Sequence, residues 1–339
     1  MADKVTLTVD AMGGDHAPDV VLEGVEAALA ADEALSVILV GPAAVVEPFA
    51  ARHERCTAQE ASEVIAMGEH PAQAVRAKKD SSIVVGCRLV KEGAAQGFFS
   101  AGSTGACLAA GTLVMGRVKG VARPALATVI PSPVAPVVLT DVGANADCKP
   151  EYLLQFAQMA SVYAERIVGI EHPRAALLNI GEEEEKGSQF AQDTHKLLAA
   201  KLPNFAGNAE GGDILAATYD VVVTDGFTGN VCLKTIEGAA KVLLSAVKDV
   251  MLSSAATKLG ALTMKRPLGE LKGRLSADTY GGAPLLGVKG ACIVGHGSSN
   301  PTAIKNGVLT TARIVRERVP EVIAEAVASG AGARAKGGE

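Results

Sequence analysis

Residues 97–115 read Gly97-Phe-Phe-Ser-Ala-Gly-Ser-Thr-Gly-Ala-Cys-Leu-Ala-Ala-Gly-Thr-Leu-Val-Met115. The first part, Gly97–Ser100, is typical of the end of a strand, and Ala106–Met115 is typical of a buried helix. The turn between them, Ser100–Gly105, is small and rich in glycine and hydroxyl groups, which exposes backbone N–H groups at a helix start. Because the helix dipole adds to those groups, the turn predicts a site for an anion such as phosphate. A simple Ser or Thr helix cap has the same composition, so both interpretations stand at this point.

Strand-like and helix-like stretches alternate on both sides of this turn. The predicted strands are Val5–Asp10, Leu35–Gly41, Gly97–Ser100, Pro136–Asp141, Ala175–Gly181, Tyr219–Asp225 and Ala291–Gly295. The predicted helices are Asp19–Ala31, Ser81–Glu92, Pro150–Val168, Lys186–Ala200 and Asn230–Leu252. This alternation predicts an α/β fold with a mostly parallel sheet that is covered by helices on both faces.

Composition limits the class of protein. The chain has 339 residues, of which 48% are hydrophobic, and its net charge of −5 argues against nucleic acid as a partner. We expect a single domain over residues 1–329, a candidate change of lobe near the prolines of residues 120–136, and a disordered tail at 330–339.

The sequence also predicts the compartment and the absence of a metal. The six cysteines are scattered, with no spacing typical of a metal site. Neither a signal peptide nor a run of about 18 apolar residues is visible, so we expect a cytoplasmic protein.

Polar, glycine-rich loops follow most of the predicted strands. In a parallel sheet the carboxyl ends of the strands share one edge, so these loops are expected to form one composite site on a single rim. The candidate phosphate- or acyl-binding residues are Asp10, Gly13, Gly14, Ser100, Gly102, Ser103, Thr104, Gly105, Asp141, Asn145, Lys149, Asp225, Thr228, Gly229 and Lys234. Neither a P-loop nor a dinucleotide fingerprint occurs, so no nucleotide cofactor is expected.

Several charged residues in these loops allow two interpretations. Lys149, Lys186 and Lys234 are either solvated helix residues or a phosphate clamp. The run Glu182–Glu185 suggests a metal site, but acidic residues in a first helical turn more often face water. Both His16 and His296 follow strand ends, where a structural role and a catalytic role are equally compatible with the sequence.

Two further patterns have alternative explanations. The residues Ala101–Gly105 nearly match the nucleophile elbow of α/β-hydrolases, with Asp225 and His296 following in the matching order, but the first glycine of that motif is absent. The stretch Val250–Leu275 is basic and amphipathic, which suits a membrane surface, an acidic protein or a dimer interface.

Six motifs together resemble one family. They are Asp10-Ala-Met-Gly-Gly-Asp-His-Ala-Pro18, Ser100-Ala-Gly-Ser-Thr-Gly-Ala106, Thr140-Asp-Val-Gly-Ala-Asn145, Leu178-Asn-Ile-Gly-Glu182 with Lys186-Gly187, Thr224-Asp-Gly-Phe-Thr-Gly-Asn230 and Gly295-His-Gly-Ser-Ser-Asn300. They resemble the bacterial phosphate acyltransferases of the PlsX family over about residues 4–328. The resemblance implies a dimeric three-layer α/β/α sandwich similar to isopropylmalate dehydrogenases and phosphotransacetylases.

The resemblance also implies an activity and partners. The family transfers a long-chain acyl group from acyl carrier protein to inorganic phosphate, and a membrane-bound glycerol-3-phosphate acyltransferase receives the acyl-phosphate for phospholipid synthesis. Members associate peripherally with the membrane and need no cofactor. Rival interpretations are a phosphotransacetylase-like enzyme that uses acyl-CoA, a serine thioesterase and a non-catalytic scaffold that recruits carrier protein.

The chemistry of this reaction suggests roles for single residues. A phosphate ion can attack a thioester directly, and a thiol with a pKa near ~8.5 leaves without a strong acid. We therefore expect catalytic contributions from Lys186, His16, His296 and Asn230. Candidate contacts with the acidic carrier protein or the membrane are Lys258, Lys265 and Arg266.

Overall fold

The computed structural model describes most of the chain. The described residues are 3–254, 279–329 and, between these ranges, residues 257, 258, 260, 261, 263, 264, 266, 267 and 269. The predicted tail at 330–339, Lys265 and parts of the predicted stretch Val250–Leu275 lie outside them.

Eleven strands and eleven helices are labelled here in chain order within the described residues. The strands are β1 (Val5–Asp10), β2 (Leu35–Gly41), β3 (Cys56–Glu60), β4 (Gly97–Ser100), β5 (Ala125–Ile130), β6 (Val137–Thr140), β7 (Ala175–Leu178), β8 (Phe205–Ala209), β9 (Val221–Val223), β10 (Ala283–Leu286) and β11 (Ala291–Val294). The helices are α1 (Asp19–Ala31), α2 (Ala43–Ala50), α3 (Pro71–Ala77), α4 (Ser82–Lys91), α5 (Thr104–Ala110), α6 (Pro150–Tyr163), α7 (Gln189–Lys201), α8 (Gly211–Ala216), α9 (Gly226–Met251), α10 (Pro301–Arg316) and α11 (Val319–Ser329). Wider π-type turns, Gly111–Met115 and Ala164–Val168, extend α5 and α6.

All eleven strands form one sheet in the order β3-β2-β1-β4-β11-β10-β5-β6-β9-β7-β8. Most neighbours are parallel, but β10 is antiparallel to both β11 and β5, and β5 is antiparallel to β6. Strands β6 to β9 therefore run opposite to β1 and β4. The expectation that all strand ends share one rim is wrong for this reason, because the two halves of the sheet point their carboxyl ends in opposite directions.

The register of the central strands nevertheless brings these opposed ends together. Val294 at the end of β11 pairs with Ala283, and Leu285 two residues later pairs with Leu126 of β5. On the other side of β5, Ala127 pairs with Thr140 at the end of β6. The two halves are thus offset along the strand direction, and the carboxyl ends of β11 and β6 reach nearly the same level in the middle of the sheet.

Helices cover both faces of the sheet, as the alternation of strands and helices predicts. One core cluster packs Val25 of α1 and Val308 of α10 against Leu7 of β1. A second cluster packs Cys87 of α4 and Cys107 of α5 against Phe98 of β4. The predicted α/β sandwich with a mostly parallel sheet is confirmed.

The proline-rich middle of the chain contains the antiparallel hairpin of β5 and β6. Its prolines lie outside β5 and β6, where they remove no hydrogen bond from the ladder. They are Pro124, Pro131, Pro133 and Pro136. The change of lobe near 120–136 stays a prediction, as does the single domain.

None of the described helices combines the length and the apolar composition needed to cross a bilayer.

Candidate active site

A cleft of about 490 Å³ opens where the two opposed sets of strand ends meet. One side is formed by the loops after β4 and β11, through Gly102, Thr104 and His296. The other side is formed by the start of α9, through Asn230 and Lys234. Apolar residues of β5, β11, α9 and the loop after β6 line the same cleft: Leu126, Val129, Val142, Leu233 and Val294. A polar wall and an apolar wall therefore face the same space.

The loop after β4 is braced from behind by Asp10, the last residue of β1. The fully buried Ser100 hydroxyl donates to Asp10 Oδ2 at 2.6 Å and accepts from the Gly102 N–H at 2.9 Å. Burial raises the pKa of Asp10 above its ordinary 3.8, although hydrogen bonds from Ser100 and Ser82 oppose that shift. Asp10 and Ser100 thus hold the loop in shape, and the Gly102 N–H is already used within it.

The first turn of α5 is the part of this loop that reaches the cleft. Ser103 caps the helix through a 3.4 Å hydrogen bond from the Ala106 N–H to its hydroxyl. Thr104 is exposed and lines the cleft. The N–H groups of Thr104 and Gly105 lie in the first turn, where helical geometry supplies no backbone acceptor. These groups are placed to bind an anion.

The loop after β11 brings His296 into the cleft. Its Nδ1 lies 2.8 Å from the Ser298 hydroxyl and accepts from the Ser298 N–H at 3.3 Å. Because a backbone N–H can only donate, the neutral ring carries its proton on Nε2, which is free to donate to an oxyanion.

The loop after β1 lies behind the loop after β11. The Asp15 N–H donates to the Gly297 carbonyl at 2.7 Å, and Gly14, with a φ of +114°, sits against the same carbonyl. A side chain at Gly13 would come within 2.9 Å of the backbone after β4. His16 is exposed and does not line the cleft.

A second buried carboxylate, Asp141, braces the loop after β6. Its Oδ1 accepts from the N–H groups of Leu126 and Ala144, both at 3.0 Å. Its Oδ2 accepts from the backbone N–H of Asn145 at 2.7 Å and from its side-chain amide at 2.9 Å. Burial raises the pKa of Asp141, and these four donors oppose the shift. All four partners donate, and they are shared between both oxygens of the side chain. The site therefore suits a carboxylate and not an amide, whose NH₂ group cannot accept.

The start of α9 completes the opposite wall of the cleft. Asp225 caps the helix, accepting from the N–H and the hydroxyl of Thr228 at 2.9 and 2.7 Å. A side chain at Gly229 would collide with the Asp141 carbonyl, so glycine permits α9 to approach this loop. Further along α9, Asn230 and Lys234 line the cleft. The Lys234 ammonium forms an ion pair with the Glu237 carboxylate at 2.7 Å.

The three predicted clamp lysines do not converge. Lys234 lines the cleft, whereas Lys149 lies exposed at the start of α6 and Lys186 lies on the loop after β7. The Lys186 ammonium is 4.0 Å from the Glu183 carboxylate. Their preceding strands β6, β7 and β9 run parallel to one another, so the three lysines follow strand ends on the same edge, but Lys149 and Lys186 fall outside the lining of the cleft.

A hollow of about 450 Å³ lies beside the cleft and contains two other predicted residues, Asp225 and Thr228. Cys148 also lines it, and burial raises the pKa of that thiol to about 11. The thiol is therefore protonated at neutral pH and is a poor nucleophile.

The acidic run after β7 is held by a contact that the sequence analysis missed. Nδ1 of the buried His195 lies 2.9 Å from the side-chain oxygen Oδ1 of Asn208, and the Asn208 side-chain amide donates to the backbone carbonyl of Glu183 at 2.8 Å. Within the described residues, no group of three or more His, Cys, Asp or Glu side chains could hold a metal ion.

The cleft residues that were not predicted from the sequence include Met67, Glu237 and Tyr280. Glu237 lies one turn beyond Lys234, so helical spacing alone could have found it. Met67 lies seven residues after β3 and Tyr280 three residues before β10, and neither belongs to a loop that the sequence motifs mark. Of the predicted carrier-protein contacts, Lys258 and Arg266 are exposed and Lys265 lies outside the described residues.

Known proteins resemble this chain in sequence. The family described as "Fatty acid synthesis protein" matches residues 5–322. A phosphate acyltransferase of Desulfitobacterium hafniense (strain DSM 10664 / DCB-2) is 50% identical over 317 residues, which cover 92% of this chain and 93% of that protein. A phosphate acyltransferase of Bacillus pumilus (strain SAFR-032) is 44% identical over 322 residues, covering 95% and 97%.

Two solved structures resemble the fold. A phosphotransacetylase from Streptococcus pyogenes superposes with a TM-score of 0.57 at 16% identity, covering 92% of this chain and 94% of that one. A branched-chain phosphotransacylase from Enterococcus faecalis V583 gives a TM-score of 0.56 at 15% identity, covering 92% and 99%. At these identities the likeness concerns the fold alone.

Proposed function

This chain belongs to the fatty acid synthesis protein family, and on that premise we propose that it transfers a long-chain acyl group from acyl carrier protein to inorganic phosphate. The family match confirms the resemblance drawn from the six sequence motifs, and the chain is an acyltransferase that transfers an acyl group to phosphate. The acyl-phosphate would serve phospholipid synthesis through a membrane-bound glycerol-3-phosphate acyltransferase.

One observation carries the proposal. A single cleft combines the first turn of α5, the His296 imidazole and the Lys234 ammonium with an apolar wall. An oxyanion and an acyl chain are the two ligand parts that these walls suit.

The mechanism follows from the positions of these groups. Phosphate binds to the N–H groups and hydroxyl at Thr104, and the Lys234 ammonium offsets its charge. One phosphate oxygen attacks the thioester carbonyl while His296 Nε2–H or the Asn230 amide donates to the developing oxyanion. The C–S bond then breaks, the acyl group stays on phosphate, and the thiolate takes a proton from water. The predicted catalytic roles of Lys186 and His16 stay predictions, and we give them no step here.

The experiment is a phosphate-dependent acyl transfer assay. The protein is incubated with palmitoyl-carrier protein and inorganic phosphate, and acyl-phosphate is trapped with hydroxylamine. We expect trapped product only when phosphate is present. Loss of the thioester at the same rate without phosphate would overturn the proposal.

A double variant tests the phosphate loop itself. Ser103→Ala with Thr104→Val removes two hydroxyl groups beside the anion site, and hydrogen bonds to a charged group are worth about 1.5–3 kcal/mol. We expect the apparent KM for phosphate to rise by roughly 10–100-fold with the KM for the acyl donor nearly constant. An unchanged KM for phosphate would place the anion elsewhere.

The contact between Ser298 and His296 favours one alternative. A serine hydroxyl 2.8 Å from an imidazole nitrogen is the pair that a serine thioesterase needs. A covalent acyl-Ser298 intermediate requires that Ser298→Ala abolish all turnover, whereas direct attack by phosphate leaves substantial activity.

The acyl donor separates the proposal from a phosphotransacetylase-like enzyme. We propose that the acidic carrier protein docks on Lys258, Lys265 and Arg266. Charge reversal at these positions is expected to weaken turnover of the carrier-protein substrate while sparing a small soluble thioester. Equal loss with both substrates, or a preference for acyl-CoA, would contradict docking there.

We further propose a homodimer with peripheral membrane contact and no role for nucleic acid. Exposed apolar side chains on the second half of α9 support an interface there: Val242, Leu243, Val247 and Val250.

A further inference from the structure

Residues 62–70, called the strap here, connect β3 to α3 and contribute Met67 to the lining of the cleft. Apart from one bridge between Glu63 and Ser81, they follow no regular secondary structure. Ile65 is buried in the core, whereas Met67 keeps 50% of its surface exposed and lines the cleft. The strap thus anchors one apolar side chain and presents another to the proposed reaction site.

The strap and Pro71, the residue directly after it, lie against the two loops that form the anion side of the cleft. A β-carbon on Gly297 would lie 2.9 Å from the Met67 methyl group. At the end of the strap, a β-carbon on Gly105 would lie 2.5 Å from Pro71 Cγ. Met67 therefore lies against the His296 loop, and Pro71 lies against the first turn of α5.

One lysine fixes the strap from its far side. The Lys78 ammonium donates to the Val64 carbonyl at 2.8 Å and to Glu69 Oε1 at 2.7 Å. The same Glu69 oxygen accepts from the Ala66 N–H at 2.6 Å. The contact with Lys78 lowers the pKa of Glu69, so the clamp is charged at neutral pH. These bonds join the residues on both sides of Met67 and hold its side chain over the cleft.

A second clamp fixes the start of the strap. The backbone N–H and the hydroxyl of Ser62 donate to Asp80 Oδ2 at 2.9 and 2.6 Å. Both ends of the strap are therefore tied to the segment between α3 and α4.

We propose that Met67 is a specificity-determining residue, which covers the reacting carbonyl and keeps water away so that phosphate takes the acyl group. The inference rests on the proposed function. In both reactions the C–S bond breaks and the thiolate is protonated. With phosphate the new bond is to a phosphate oxygen; with water it is to the water oxygen, which loses a proton and yields the free acid. Water is far more abundant than phosphate, so transfer needs its exclusion.

The side chain of methionine suits this position. It is flexible and apolar, so it can follow acyl chains of different shape without offering water a hydrogen-bonding partner. A polar side chain of similar length would hold water beside the carbonyl.

The test is the ratio of free fatty acid to acyl-phosphate made from palmitoyl-carrier protein at saturating phosphate. We expect Met67→Ala and Met67→Gln to raise this ratio by about tenfold. Met67→Leu, which keeps an apolar side chain of similar size, is expected to leave the ratio at the wild-type value. Leu215→Ala is the matched control, because Leu215 on α8 is equally apolar and 48% exposed. The decay of added acyl-phosphate is measured in parallel and subtracted.

A clamp variant keeps the test independent of Met67 itself. Lys78→Met frees the strap without touching the cleft, and it should raise the same ratio. If neither Met67→Ala nor Lys78→Met changes the ratio while the wild-type protein makes acyl-phosphate, the inference fails and the proposed function stands. If the wild-type protein makes no acyl-phosphate, both fail.

Discussion

The two buried aspartates at the strand ends hold their loops in different ways. Asp10 accepts a hydrogen bond from the Ser100 hydroxyl, a group that can either donate or accept. Asp141 meets four N–H donors and no partner that could accept. At Asp141 the carboxylate is therefore the group that satisfies every neighbour.

Asp141→Asn is predicted to destabilise the fold. The amide would place an NH₂ group against two N–H donors in a buried site, so we expect a loss of roughly 2–4 kcal/mol in the free energy of unfolding. Urea denaturation followed by circular dichroism measures the loss. Asp225→Asn is the control, because asparagine caps a helix as well as aspartate does. Equal stability of the two variants would contradict the bracing role.

The Glu237 carboxylate contacts the Lys234 ammonium at 2.7 Å, so at the proposed site it would compete with phosphate for that lysine. Both side chains are about half exposed, so their ion pair is worth at most about 1 kcal/mol. We expect Glu237→Gln to lower the apparent KM for phosphate by about 2–5-fold, and Lys234→Gln to raise it. Phosphate titrations at constant ionic strength would show this, and a KM that rises in Glu237→Gln would place Lys234 outside the anion site.

At the scale of elements, helices α5 and α3 pack closely against each other at Gly105. The Gly105 backbone lies against the Pro71 ring, which leaves no room for a β-carbon. The first turn of α5 is thereby covered on one side by α3 and open to the cleft on the other.

Gly105→Ala and Gly238→Ala form a matched pair of helical substitutions. Alanine at Gly105 must push α3 away, so we expect a destabilisation of about 1–3 kcal/mol. Nothing lies within 4 Å of a β-carbon at Gly238 of α9, so alanine there should stabilise by about 0.5–1 kcal/mol. Denaturation midpoints measure both values, and the same sign for the two variants would refute the close packing.

Elements whose pattern is local were predicted well from the sequence. The bounds of β1, β2, β4 and α1 match the prediction to the residue. Strand β5 was missed, because its flanking prolines resemble those of an irregular connection.

For the candidate site, the glycine loops after the strands were found correctly, but their arrangement was not. Which loops share an edge depends on the reversal at β10 and β5, and that pairing leaves no local trace in the sequence. The reversal puts the loop after β4 and the start of α9 at opposed strand ends. Lys186 and Lys234 follow the parallel neighbours β7 and β9, yet Lys186 falls outside the lining of the cleft.

At the scale of the whole molecule, the offset between the two halves of the sheet creates the cleft. Strands pointing in opposite directions end at nearly the same level on either side of the β10–β5 pair, so α5 faces the start of α9. One half supplies the helix N-terminus and His296, and the other supplies Asn230 and Lys234. On the proposed function, both halves of the sheet would bind the phosphate in this cleft.

The position of bound inorganic phosphate tests this account most directly. In crystals equilibrated with phosphate, we predict electron density for the ion in the cleft, within hydrogen-bonding distance of the Thr104 N–H and the Lys234 ammonium. Density for the ion beside Lys186 on the loop after β7, with none between α5 and α9, would contradict it.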